Sequence, residues 1–123
     1  MVDPLSGRAV NLLVKLLDGC SERHRILAAN LANADTPGYK RLDLRFLDTL
    51  REALGSGDDQ ALNRASWRPE VDPESPAKAD GNNVCLDVEM SEIAKNRLLH
   101  EMAVGILRRK MSMIRSAITG RSY

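Results

Sequence analysis

Residues 29–40 read Ala29-Asn30-Leu31-Ala32-Asn33-Ala34-Asp35-Thr36-Pro37-Gly38-Tyr39-Lys40 and bring a long helical pattern to an end. Pro37 stops the helix because its ring pushes Thr36 out of the α region and because it has no N–H to donate. Pro37 and Gly38 fit the central positions of a type II turn, since proline presets φ and glycine tolerates the positive φ that follows. Short polar side chains that can bond the last free backbone groups of a helix stand at Asn33, Asp35 and Thr36. The stretch predicts a helix end joined to a fixed turn.

The helix before this turn is predicted to run from near Leu5 to about Asn33. Its apolar side alternates strictly in steps of three and four residues, which is the a/d seam of a coiled coil over about three heptads: Val10, Leu13, Leu17, Cys20, His24, Leu27 and Leu31. Cys20 is expected to be a small buried hydrophobe, and His24 a packed or partner-bonded side chain and not a metal ligand, because no second ligand accompanies it. Gly19 costs roughly 1 kcal/mol in a helix relative to alanine, and only close packing explains it.

After the turn, a shorter apolar pattern predicts a second helix that ends at Gly55 and that Asp43 could cap; it consists of Leu42, Leu44, Phe46, Leu47, Leu50 and Leu54. Residues 55–80 form a flexible linker segment with glycines and prolines. Its few large apolar residues cannot offset the entropy of ordering, so we expect it to be extended or disordered in the free protein. Trp67 either anchors a partner or folds back on the helices, and the sequence leaves both open.

The last helix is predicted from about Cys85 to Thr119, roughly 50 Å long at 1.5 Å per residue. One heptad seam consists of His100, Val104, Leu107, Met111, Ile114 and Ile118. A second apolar stripe lies roughly 120° around the axis and consists of Leu99, Met102, Ile106, Met113 and Ala117. More than half of the circumference is then apolar, whereas a two-helix hairpin in water needs one stripe on each helix. The pattern predicts neighbours beyond the chain itself.

These patterns predict an all-α protein in which the long N- and C-terminal helices form an antiparallel coiled coil. Residues 1–54 and 81–123 would be the terminal-helix assembly domain, and residues 55–80 an irregular, partly disordered middle segment. Aromatic residues make up only 3% of the chain, and Leu, Ile, Val, Ala and Met carry the apolar content. The formal net charge of +1 implies no general attraction to nucleic acid or to an anionic membrane.

Residues that would form a catalytic or metal site are missing from the sequence pattern. Cys20 and Cys85 lie far apart and have no metal-ligand spacing, and His24 and His100 accompany no nucleophile motif. Neither a glycine-rich phosphate loop nor an HExxH or CxxC motif occurs. A carboxylate pair near position 88 is better explained by the positive end of the helix dipole than by catalysis; it consists of Asp87 and Glu89. We therefore expect no enzyme, cofactor or small-molecule substrate.

Two features bear on where the chain acts. The apolar run Leu12-Leu13-Val14 is cut by Lys15 with no cleavage site after it, and no run approaches the roughly 20 apolar residues of a membrane span. By itself this favours the cytosol.

Two other function classes stay open at this point. A nucleic-acid binder could use the basic residues of the last helix, but they spread around it without a companion recognition motif; they are Arg108, Arg109, Lys110 and Arg115. A cytosolic helical adaptor or chaperone could use the apolar stripes as a groove for client helices.

Two stretches resemble one family. The residues from Asn30 to Lys40 closely resemble the signature of the bacterial flagellar rod and hook proteins, near the end of their first helix. The stretch Gly81-Asn82-Asn83-Val84, followed by Leu86-Asp87-Val88-Glu89-Met90, is similar to the segment that opens the last helix in that family. Together with the short chain, these stretches point to the proximal rod proteins. One residue departs from the pattern: Cys85 stands where an acidic or polar residue is common, so Asn83 or Asp87 would cap the helix instead.

The resemblance implies a structural subunit of the proximal rod in the flagellar basal body, which self-assembles by coiled-coil packing of its terminal helices. It also implies export through the flagellar type III channel without a cleaved signal peptide, which replaces the cytosolic expectation by a periplasmic rod. Implied partners are copies of the chain, other rod subunits, the export gate and the membrane-ring base. The implied signature turn comprises Asn30, Asn33, Asp35, Thr36, Pro37, Gly38 and Tyr39. The expected assembly stripes comprise Val10, Leu13, Leu17, Leu27, Leu31, Val104, Leu107, Met111, Ile114 and Ile118.

Overall fold

A computed structural model describes residues 7–58 and 60–120. Four helices and two very short strands follow in the order α1 Gly7–Ala32, β1 Leu42–Asp43, α2 Phe46–Gly55, α3 Ala61–Arg64, β2 Glu70–Val71 and α4 Leu86–Thr119. The predicted helix start near Leu5 lies outside the described residues. The helix ends predicted at Gly55 and Thr119 are confirmed.

The fold is a long hairpin of α1 and α4. The two helices run antiparallel. Asn30, near the end of α1, contacts Glu89 at the start of α4, whereas Cys20, earlier on α1, contacts Asn96, later on α4. At 1.5 Å per residue, α1 is about 39 Å long and α4 about 51 Å. The all-α prediction with long terminal helices is therefore confirmed. None of the helices in the described part of the chain is both long and apolar enough to cross a membrane.

The seam between the two helices was predicted correctly on α1 and one residue out of register on α4. On α1, Leu13, Cys20 and Leu27 are buried as expected. His24 is exposed, so it does not pack within the chain, and the alternative that it bonds a partner stays a prediction. On α4, the positions buried against α1 repeat every seven residues and carry small or polar side chains; they are Glu89, Asn96, Ala103 and Lys110. The larger apolar residues lie one position further along the chain, where Val104 is half-buried and Met111 is exposed.

The core lies where α2 and α3 pack against the middle of α1. Its buried members come from all three helices and from the residue after β1, namely Cys20, Leu44, Phe46, Leu50, Ala53 and Leu62. Gly19 is explained here, because a Cβ at this position would lie 2.3 Å from Cδ2 of Phe46. The ring of Phe46 therefore occupies the space that any side chain on Gly19 would need.

The middle segment is connected to this core at several points. Leu62 of α3 is buried, and the ring of Trp67 packs edge-on against Phe46 with 5.9 Å between the ring centroids. The Nζ of Lys15 also lies over the Trp67 ring, 5.9 Å from its centre. Of the two alternatives for Trp67, the structure has the one in which it folds back on the helices. β2 pairs antiparallel with β1, with Val71 opposite Leu42.

Candidate functional site

The turn at the end of α1 has the geometry that its sequence predicts. The N–H of Tyr39 donates to the carbonyl of Thr36 at 3.2 Å, and Gly38 has a φ of +73°. Both are features of a type II turn with Pro37 and Gly38 at its centre. The N–H of Gly38 in addition donates to the carbonyl of Asp80 at 2.9 Å. The turn is thus joined to the segment that leads into α4.

A buried asparagine of that leading segment closes the end of α1. Asn82 is fully buried, and its Nδ2 donates to the carbonyl oxygens of Asn33 at 2.9 Å and Thr36 at 2.8 Å. Its Oδ1 accepts the N–H of Val84 at 2.7 Å. Each of these carbonyls also accepts a backbone N–H within the turn, from Thr36 and Tyr39 respectively. Asn82 therefore adds a second hydrogen bond to each of them from nearly fifty positions away.

A second buried asparagine, Asn30 on α1, holds the backbone that leaves the turn. Its Oδ1 accepts the N–H of Leu42 at 3.1 Å, and its Nδ2 donates to the carbonyl of Leu42 at 2.7 Å. The hydroxyl of Tyr39 donates to the same Oδ1 at 3.3 Å. The Nδ2 also donates to Oε2 of Glu89 on α4 at 3.3 Å. One amide therefore links the signature turn, β1 and α4.

Asn83 makes the corresponding link to the middle segment. Its Oδ1 accepts the N–H of Arg41 at 2.6 Å, and its Nδ2 donates to the carbonyl of Asp72 at 3.2 Å. Because this side chain is engaged, it does not cap α4: Cys85 is the N-cap residue, and α4 has no side-chain cap. The prediction that Asn83 or Asp87 supplies that cap is wrong.

The hydrogen bonds of Asn30, Asn82 and Asn83 form what we call the turn network. At its centre lies a buried ion pair between Arg41 and Glu89. The Nε of Arg41 donates to Oε1 of Glu89, and its Nη1 donates to Asp72 at 3.1 Å and Asp43 at 3.3 Å. Burial by itself would lower the pKa of Arg41, but the hydrogen bond to Glu89 and the charges of Glu89 and Asp43 outweigh it and raise the pKa above its ordinary value. Glu89 lies in the first turn of α4, as predicted, but it is also 0% exposed and pairs with Arg41. It is a buried partner of the turn.

Arg23 adds a second charged link between α1, β1 and α4. Its Nε donates to Oδ1 of Asp43 at 2.8 Å and its Nη2 to Oε2 of Glu92 at 2.7 Å. Burial would raise the pKa of Asp43, but the hydrogen bonds from Arg23 and from the Leu44 N–H hold it below its ordinary value. The hydrogen bond from Arg23 likewise lowers the pKa of Glu92. The predicted capping role of Asp43 is wrong, since α2 begins after Arg45 without a side-chain cap.

The structure brings most of the predicted signature residues into this network. Asn30 and Tyr39 enter it through their side chains, Gly38 through its backbone, and Asn33 and Thr36 through their carbonyls. Asp35 and Pro37 are exposed. The pattern of apolar residues missed Arg41, Asp43, Asp72, Glu89 and Glu92. A signal existed, because Arg41 directly follows the first family stretch and Glu89 lies inside the second.

The residues expected to form assembly stripes divide between the two helices. On α1, Leu13 and Leu27 are buried against the rest of the chain, and Val10, Leu17 and Leu31 are half-buried. On α4, Val104 and Leu107 are half-buried, whereas three residues face solvent: Met111 at 46%, Ile114 at 38% and Ile118 at 80% exposure.

Near the chain termini, an apolar groove of about 340 Å³ runs between α1 and α4. Its lining comprises Ala9, Leu12, Leu13, Ile106, Arg109, Lys110 and Met113. Among the described residues, no group of three or more His, Cys, Asp or Glu could hold a metal ion. The arrangement can hold a turn rigidly and can offer apolar surface to other helices.

Comparison with known proteins gives one consistent result. The family described as flagella basal body rod protein matches residues 22–40. The flagellar basal body rod protein FlgB of Aquifex aeolicus is 34% identical over 119 residues, which cover 94% of this chain and 96% of that protein. The proteins of the same name from Salmonella typhimurium and Escherichia coli are 31% and 32% identical, over 98% and 87% of this chain and over 99% and 89% of their own lengths.

Proposed function

The chain belongs to the family of flagellar basal body rod proteins FlgB, and from this premise we propose how it builds the rod. It is a structural subunit of the bacterial flagellum and not an enzyme. Its terminal helices assemble by packing the apolar stripes that α4 leaves exposed against helices of neighbouring subunits.

The observation that carries this proposal is the exposed apolar surface of α4. Ten large apolar side chains of this helix face solvent, namely Leu86, Val88, Met90, Leu98, Met102, Ile106, Met111, Met113, Ile114 and Ile118. Only one face of α4 packs on α1. Large apolar surfaces exposed on a protein are typical of interaction sites, because burying them lowers the free energy by about 25 cal/mol per Å². The expected stripe residues Met111, Ile114 and Ile118 belong to this surface.

The turn network serves this assembly by fixing the register of the hairpin. Asn30, Arg41 and Glu89 connect the end of α1 to the first turn of α4 through buried hydrogen bonds and an ion pair. Buried polar groups demand specific partners, so they favour one register over its alternatives. We propose that the signature turn thereby sets where the exposed stripes of α4 stand relative to α1.

Family membership supports association with other components of the flagellar rod. We propose in addition that copies of the chain, the export gate and the membrane-ring base are among its neighbours. The location would be the periplasmic rod, reached by export without a cleaved signal peptide. Residues 1–54 and 81–123 would form the assembly unit, with residues 55–80 as a linker segment at its side.

The first experiment deletes the gene, scores swimming and images purified basal bodies, with a restored wild-type copy as control. Rings without a rod, corrected by the restored copy, are the expected result. Intact rods in the deletion strain would overturn the assignment to the rod.

A pair of variants then tests the α4 surface. Met102→Glu places a charge on an exposed apolar position, and Met102→Leu keeps the same position apolar as the matched control. Both purified proteins should keep the wild-type circular dichroism spectrum, because neither side chain is buried. Only Met102→Glu should abolish rods. Equal rod numbers in the two strains would refute a role for this stripe.

A further inference from the structure

Lys110 is buried without a partner. This side chain is 6% exposed, and within the described residues its Nζ has neither a hydrogen bond nor an ion pair. It occupies the last of the buried heptad positions on α4 and lines the apolar groove beside Leu13 and Ile106. A buried ammonium group is costly unless a carboxylate or several acceptors compensate it. The unpaired Nζ therefore marks a place where a partner group is missing.

The described residues near the groove include no carboxylate that could fill that place. Residues 7–17 of α1 and 102–120 of α4 with its C-cap contain no Asp or Glu. They contain six cationic residues, namely Arg8, Lys15, Arg108, Arg109, Lys110 and Arg115. Within these two described ranges all charged side chains are cationic, so a carboxylate that pairs with Lys110 has to come from outside them.

The shape of the groove indicates what brings that group. Its floor consists of apolar side chains of both helices, and its rim includes Ile106 and Met113, which are 52% and 41% exposed. A trough between two antiparallel helices accepts a third helix whose ridge of side chains fills it. A phosphate backbone or a lipid headgroup would meet an apolar floor and a single buried cation, which is a poor match for several negative charges.

We propose that this groove is the docking site for an amphipathic helix of another protein that carries a carboxylate beside its apolar face, and that Lys110 selects that carboxylate. The excess of cationic side chains on the surrounding helix segments attracts the acidic helix, and the apolar floor of the groove holds it. Lys110 gains the missing partner only when the helix is bound. The inference rests on the proposed assembly function and names the chemistry of one partner.

Two synthetic helical peptides provide the probes. Both have the same apolar heptad pattern, and they differ at one central flanking position, which is Glu in one and Gln in the other. Fluorescence anisotropy with the full-length protein should give about tenfold tighter binding of the Glu peptide, the size expected for a hydrogen bond to a buried charge. Lys110→Met should remove this preference. Arg108→Gln, which removes an exposed cation of the same helix, should keep most of it.

Equal affinity of the wild-type protein for the two peptides would overturn the proposal, whatever the variants do. A dimer that excludes both peptides would overturn it as well, because a second copy would then be the occupant. Lys110→Met should also raise the unfolding temperature of the free chain. If it lowers that temperature and Asp3→Asn lowers it equally, the carboxylate is internal and the proposal fails. Rods that still depend on Met102 would leave the assembly function standing in each of these cases.

Discussion

Glu89→Gln is the substitution with the largest expected effect on the free protein. Gln preserves the size of a side chain that is 0% exposed, but it removes the charge that pairs with Arg41. Removing one partner of a buried ion pair costs roughly 3–5 kcal/mol of unfolding free energy. Arg41 keeps Asp72 at 3.1 Å and Asp43 at 3.3 Å, so we expect the lower end, about 3 kcal/mol.

This loss is a large share of the roughly 5–15 kcal/mol by which a domain is stable, and it should lower the unfolding temperature by roughly 10 °C. Urea unfolding followed by circular dichroism and by Trp67 fluorescence measures it. Glu101→Gln is the matched control, because Glu101 pairs with Arg97 at 3.1 Å with both side chains exposed. There we expect a change below about 0.5 kcal/mol. Equal losses in the two variants would refute the view that the network holds the hairpin.

Gly38→Val should reduce rod formation and destabilise the free chain by about 1–3 kcal/mol, because a β-branched residue resists the φ of +73°. Gly38→Asn is the control, since asparagine tolerates this φ. Equal urea midpoints for the two variants would contradict the reasoning. Gly19→Ala should destabilise the protein despite a helix-propensity gain of about 1 kcal/mol, since its Cβ would lie 2.3 Å from Phe46. Adding Phe46→Leu should restore part of the lost stability. A higher unfolding temperature for Gly19→Ala alone would show that the ring can move away. Acid should weaken the fold through Asp43 and Asp72, whose pKa values in the folded protein lie below their ordinary values of about 4. Their contribution to stability is complete above that pH and is lost as the pH falls through the folded pKa values. Urea midpoints should therefore be level from pH 5 to 7 and should drop below pH 4, and the drop should be less steep in Arg23→Met.

Features set by local chemistry could be read from the sequence. Pro37 and Gly38 fix the turn because their φ preferences hold in any surroundings, and the end of α1 follows from them. Gly19 signalled close packing because a glycine inside a helix is costly. The apolar pattern of α1 predicted its buried side because Leu13, Cys20 and Leu27 recur every seven residues along that face.

The turn network could not be read in the same way. Hydrophobic periodicity assigns charged residues to solvent, so it places Glu89 and Lys110 on the surface, whereas both occupy seam positions. Their burial depends on partners or on neighbours far along the chain, such as Arg41, which lies 48 residues from Glu89. The α4 register was misjudged for the same reason, because Ala103 and the polar seam residues carry little apolar signal. The β1–β2 pair is too short for any pattern to predict.

The position of the turn network also bears on how the hairpin folds. The ion pair between Arg41 and Glu89 closes a loop of 48 residues, whereas the contact of Leu13 with the Lys110 region closes one about twice as long. Each doubling of loop length adds about 0.6 kcal/mol to the entropic cost of closure. Pairing should therefore begin at the turn and spread towards the termini, with high φ-values around Asn30 and low ones near Ile106. The part of the exposed α4 surface from Ile106 to Ile118 is then the last part of the hairpin to become ordered.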